Sequence, residues 1–240
     1  MVKMFYLLMI HVSMMGFLMD SQSWIFLRVY LSGELFKDPK VQEAVARAYW
    51  TIHSSGVEFV NPVSPFIEIG MYQKIIANGN RGYLPNDILN ILQHMADLTK
   101  LLKGYWTEAP RLSFGFPNLL HADPEFPNFT INDVVSILDW EYGGRSNDWL
   151  YDLAGLLAEN AHEIDSDTAH SWLDVVSRQY AVKVDPAAIK QRRFANLLVT
   201  VFYGAARSVE VPKDERYRFF EYVIEKFELI KAEAPQRYLT

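Results

Sequence analysis

Residues 120–160 constrain this chain more than any other stretch. They read LHADPEFPNFTINDVVSILDWEYGGRSNDWLYDLAGLLAEN, with acidic and amide side chains at fixed intervals. His121 and Asp123 stand two apart, Asn128 follows Asp123 by five, and the apolar run Val134-Val135-Ser136-Ile137-Leu138 ends in Asp139. An aspartate on a loop can accept the proton of an attacking hydroxyl. An asparagine five residues on, with a second aspartate at the end of the next strand, can hold Mg²⁺ against nucleotide phosphates. A single His-x-Asp would read as a turn or cap; the joint spacing reads as a phosphoryl-transfer site.

The same residues carry a resemblance. His121-Ala-Asp123-Pro-Glu-Phe-Pro-Asn128, then Ile137-Leu-Asp139-Trp-Glu141-Tyr, then Asn147-Asp148-Trp-Leu-Tyr-Asp152-Leu-Ala154 resemble, in order, the three motifs of the aminoglycoside phosphotransferase and choline kinase superfamily. The wording is similar to that of bacterial choline and thiamine kinases. The resemblance implies an α+β, protein-kinase-like fold of two lobes, with ATP and Mg²⁺ as cofactors. It casts Asp123 as the catalytic base and Asn128, Asp139 and Glu141 as the metal set. His121 and Asp152 would support the catalytic loop from behind, Asp152 by accepting its backbone N–H groups. Asp148 is expected to cap a helix.

Before this stretch, Trp24 to Tyr30 reads as an aromatic-rich strand. By the resemblance its Arg28 would grip phosphate, and Glu43, on the next helix, would pair with it. That helix opens at Asp38-Pro39 and stops before Gly56. Residues 58–65 and 66–76 read as two more strands, reaching a hinge at Asn78-Gly79-Asn80. Met4 to Met19 is mostly apolar, but it is short for a membrane span, contains His11 and is followed by no cleavage pattern, so a buried strand pair is expected, with a short helix as the alternative because few of its residues are β-branched. Gly16 is the only glycine before Gly33. The phosphate cradle of backbone N–H groups is therefore expected to be shortened or absent. The reading is a reduced N-terminal nucleotide-binding lobe over residues 1–78 and a helical C-terminal lobe over 79–240, the latter with the catalytic loop and metal strand.

Downstream, a helix capped by Asn86 runs to Gly104, another opens at Asp185-Pro186, and a last one carries Tyr217 to Ile230. Trp106, Trp149, Trp172 and Tyr203 are candidates to hold a cationic group by cation–π attraction. At 240 residues and 50% hydrophobic, the chain can bury a sizeable core. Its net charge of -6, with no Lys/Arg run, argues against nucleic acid. A chain without cysteine has no disulfide and no thiolate chemistry, which fits the cytoplasm. The expected partners are a nucleotide and a small, cationic hydroxyl-bearing acceptor, with no membrane. Two other readings stay open: a pseudokinase-like binding protein without the phosphate loop, and a metal-dependent hydrolase using His121, Asp123 and Asp139.

Overall fold

The computed structural model describes residues 29–57, 59–79, 81–113 and 118–233. The expected strands within Met4–Met19, the Trp24–Arg28 part of the next strand, and Arg28 itself lie outside them. Strand β1 (Val29–Tyr30) is followed by a short helix, α1 (Gly33–Phe36), and by α2 (Pro39–His53). Asp38 accepts a hydrogen bond from Lys40 N and Pro39 takes the first helical position, as its fixed φ allows. Val45, Ala46, Tyr49, Ile52 and His53 form the buried stripe of α2 at helical spacing. Gly56, at φ 65°, turns the chain away.

The next segment departs from expectation. Residues 66–76 are not a strand but lie inside helix α3 (Pro65–Asn78). The run Phe-Ile-Glu-Ile-Gly-Met-Tyr alternates enough to suggest a strand. However, the Ser64 hydroxyl caps Phe66 N, Pro65 opens the first turn, and Ile69, Tyr72 and Ile76 come round to one face. Tertiary burial of that face outweighs local β preference. Of the strand expected over residues 58–65, only a short pairing remains: Val63 N donates to Arg145 O and Arg145 N to Asn61 O, both at 2.8 Å. Gly144 permits it, since a Cβ there would collide with the Asn61 carbonyl.

Helix α4 (Asn86–Gly104) begins as expected, but Pro85 rather than Asn86 holds the cap position, and no side chain caps it. Then come β2 (Asn118–Leu120), β3 (Phe129–Ile131), β4 (Val135–Ile137) and β5 (Gly144–Ser146). They form two small antiparallel sheets, β1-β3-β4 and β2-β5. Helices α5 (Leu150–Glu159), α6 (Ser166–Tyr180), α7 (Pro186–Glu210) and α8 (Arg216–Glu233) follow. Asp185 and Pro186 open α7 as the sequence indicates.

Among the described residues two large apolar cores result, with a small third cluster of Val63, Leu120 and Tyr151. One joins α2, α5 and α6 to the β1-β3-β4 sheet; the other joins α3, α4, α7 and α8. Thus α3, on the N-terminal side of the expected hinge, packs against α7. Helix α5 runs between the cores, and all its residues from Leu150 to Ala158 are buried. A helix apolar on every side belongs in such a position. Its Gly155 lies against Pro124 of the β2–β3 loop, where a Cβ would stand 2.8 Å from Pro124 Cγ. Among the described residues the architecture has little sheet and many helices.

Candidate active site

The loop after β2 has to turn in a direction most residues avoid: Ala122 has φ 63°. Its conformation is fixed by Asp152, in the first turn of α5 and fully buried. Asp152 Oδ2 accepts His121 N at 2.9 Å, and Oδ1 accepts Ala122 N at 2.8 Å. His53 Nε2 adds a third bond, at 3.0 Å, from α2. The Tyr180 hydroxyl lies 2.8 Å from His53 Nδ1, so the consistent assignment has Tyr180 donating to His53 and His53 to the carboxylate. Asn118 Nδ2 holds the His53 carbonyl, and Trp149 stacks on Tyr180 with centroids 4.5 Å apart. Just past the other end of α5, Asn160 accepts Phe126 N at 2.9 Å and donates to Pro124 O at 3.0 Å. One buried helix therefore pins the loop on both sides of Asp123.

Asn128 Nδ2 donates to both the carbonyl and the Oδ2 of Asp123, each at 2.9 Å. Leu138 N donates to Asn128 O at 2.7 Å, while His121 Nε2 reaches Leu138 O at 2.6 Å. These bonds clamp the end of β4, and the next residue, Asp139, projects into solvent from a second left-handed position, φ 56°. Trp140 folds back, its indole N–H on Ile137 O and its ring edge-on to His121. The structure thus brings Asp123, Asn128 and Asp139 together, with Glu141 exposed beyond them. Burial, then the Glu125 charge, pushes the Asp123 carboxyl up to about 6, with Asp139 adding to the rise.

The donor set suits a hard divalent cation. Asn128 spends its N–H groups on Asp123, which leaves Oδ1 free to ligate, and Asp139 offers an exposed carboxylate. Among the described residues no three His, Asp or Glu side chains converge as a metal cluster. Mg²⁺ does not require one, since it keeps waters and takes phosphate oxygens alongside one or two carboxylates. His121 Nε2 is occupied by Leu138 O, and its Nδ1 is buried without a hydrogen-bond partner.

Asp123 opens into a cavity of about 180 Å³. Its walls include Tyr72, Tyr142, Tyr203 and Tyr222, with Glu68 and Glu159 beside them. Of the four aromatics singled out in the sequence, only Tyr203 is there. Trp149 and Trp172 are sealed in the core, their indole N–H groups on Pro110 O and Leu153 O, and Trp106 covers the guanidinium of Arg192. Arg192 in turn pairs with Asp148 at 2.9 Å, so Asp148 is an ion-pair partner and not the expected cap: Trp149 holds the N-cap position of α5, which has no side-chain cap. Glu43 faces Arg178 on α6 at 3.6 Å.

Burial pushes the Glu68 carboxyl up to about 8 and that of Glu159 to about 7, the latter pulled back by Lys226. The Glu68 value lies above the ordinary 4.5 of a glutamate in the unfolded chain. Its contribution to stability is therefore complete below that value and is lost as pH rises through about 8. Urea denaturation between about pH 5 and pH 8 should show stability falling more steeply for the protein than for Glu68→Gln, by roughly 1–3 kcal/mol over the interval. Parallel profiles would contradict the assignment.

No protein-family sequence model matches the chain, and no curated protein matches it in sequence. Solved structures do. A choline/ethanolamine kinase family protein from Mesorhizobium loti superposes with a TM-score of 0.65 at 22% identity, over 90% of this chain and 71% of its own. The choline kinase LicA from Streptococcus pneumoniae gives 0.62 at 20% identity, over 85% and 68%. A spectinomycin phosphotransferase bound to ADP and spectinomycin gives 0.53 at 14%, over 85% and 68%. The chain has the fold of these phosphotransferases. Within that fold, Asp123 and Asn128 lie on the β2–β3 loop and Asp139 two residues past β4. Among the described residues no helix is long and apolar enough to cross a membrane.

His53, Asn160, Glu68 and Tyr72 were not singled out in the sequence. For His53 a signal existed, since a histidine closing the apolar stripe of a helix needs a polar partner inside the core. Asn160 closes the motif stretch eight residues after Asp152, while Glu68 and Tyr72 occur at no spacing relative to the motifs.

Proposed function

We propose that this chain is an ATP- and Mg²⁺-dependent phosphotransferase acting on a hydroxyl group of a small cationic metabolite. One observation carries the reading: a half-buried Asp123, fixed by Asn128 beside the exposed Asp139, opens onto a cavity walled by tyrosines and carboxyl groups. The solved structures of this fold that hold AMP, or ADP with spectinomycin, support the nucleotide part.

In this reading the acceptor's cation lies among the tyrosine faces, and its hydroxyl is set against Asp123. The raised pKa makes that carboxylate a better proton acceptor than a solvated one. Asn128 holds Asp123 in one rotamer, so the hydroxyl meets a fixed oxygen. Asn128 Oδ1 and Asp139, with Glu141 further out, would hold Mg²⁺, which supplies positive charge for the phosphate oxygens. His121 and Asp152 fix the loop and take no part in proton transfer. By the resemblance Arg28 would grip the phosphates and Glu43, exposed on α2 and 3.6 Å from Arg178, would pair with it.

Asp139→Asn is expected to lower phosphoryl transfer by several orders of magnitude with little change in melting temperature, because the residue is exposed. ADP release with a panel of cationic alcohols, ATP and Mg²⁺ measures it. Turnover retained by the variant would remove Asp139 from the metal site. ATP binding without transfer to any alcohol would favour a pseudokinase-like binding protein.

A further inference from the structure

The cavity beside Asp123 contains an oxygen that nothing in the described structure satisfies. Glu68 Oε1 is sealed from solvent and has no hydrogen-bond partner, and Tyr151 lines the same cavity. Among the described residues no Lys or Arg forms an ion pair with Glu68. Glu159 lies on the same cavity with its side chain 8% exposed, and its Oε2 also lacks a hydrogen bond. Lys226 Nζ, 3.6 Å away, neutralises Glu159 in part without reaching hydrogen-bond distance. Glu68 is thus the carboxyl with a free acceptor atom and no cation of its own.

What completes such a group is a donor carrying positive charge. A primary ammonium group brings three N–H donors together with its charge. A quaternary ammonium group brings the charge alone: the tyrosine faces would attract it, but Oε1 would stay bare. A pocket built around a hydrogen bond discriminates strongly against an analogue that cannot make it, because the polar atom of the pocket is then left buried and unpaired.

We propose that Glu68 sets the specificity of this cavity by accepting an N–H of the acceptor's ammonium group, so that hydroxyl-bearing primary amines are taken in preference to quaternary ones. The inference rests on the phosphotransferase reading for the hydroxyl end of the ligand and goes beyond it for the nitrogen end.

Calorimetric titration of the full chain with 2-aminoethanol and its mono-, di- and trimethylated derivatives tests it. Affinity should fall along the series, by about 10- to 100-fold from the primary to the quaternary amine. Glu68→Met should flatten the series, and Glu68→Gln, which keeps a carbonyl acceptor, should retain part of the slope. The slope in the unaltered protein is decisive even if a variant fails to fold. A flat or rising series overturns the proposal while leaving phosphate transfer to cationic alcohols intact. Absence of binding by every member also overturns it, and ADP release with other cationic alcohols then decides the broader reading separately.

Discussion

Asp152→Ala should lower the melting temperature by about 10 °C and abolish phosphoryl transfer, although residue 152 touches no substrate. Three buried donors, His121 N, Ala122 N and His53 Nε2, end on its carboxylate. Each donor left unpaired costs roughly 1–3 kcal/mol. Even the low end of that sum is a sizeable part of the roughly 5–15 kcal/mol that holds a domain folded. In a chain of this size, about 1 kcal/mol corresponds to roughly 2–4 °C. Asn at 152 should recover little, because its NH₂ would face one of the N–H groups. Differential scanning calorimetry on both variants measures the effect. An unchanged melting temperature would mean that the loop is held by something other than α5.

Asp123→Asn should do the reverse: turnover falls by about 10²–10⁴-fold, the range of general-base catalysis, while stability holds or rises. The Asp123 carboxyl, raised to about 6, is a charge the fold disfavours at neutral pH. The amide removes that charge and keeps the shape. Two carboxylates on neighbouring elements would then differ in kind, with Asp152 held by donors and Asp123 crowded by Glu125 and Asp139. If Asp123→Asn melted lower and kept its turnover, the two roles would be interchanged.

What the sequence disclosed and what it hid separate along physical lines. The spacing of Asp123, Asn128 and Asp139 was legible because a loop and a short hairpin fix their separation locally. Helix α2 was legible from its Asp38-Pro39 start, and α7 from Asp185-Pro186. Helix α3 was misread because its apolar residues satisfy both periods over a short run, and only packing against α7 selects one. The support of the loop was half legible: Asp152 lies near the motif, whereas its partner His53 is 99 residues away. The cavity was least legible, since Glu68 and Tyr72 come from α3, Tyr203 from α7 and Tyr222 from α8. No spacing links side chains that only tertiary packing brings together.

The left-handed backbone at Ala122 bears on how this loop can change over generations. An alanine there costs about 1 kcal/mol that a glycine would not, so a single substitution to glycine would make the resting protein more comfortable. It would also let the chain beside Asp123 sample conformations that the methyl group forbids. At this position selection for robustness and selection for turnover pull in opposite directions. A lineage drifting under stability pressure alone would be expected to lose the catalytic geometry here while every charged side chain of the motif was still in place.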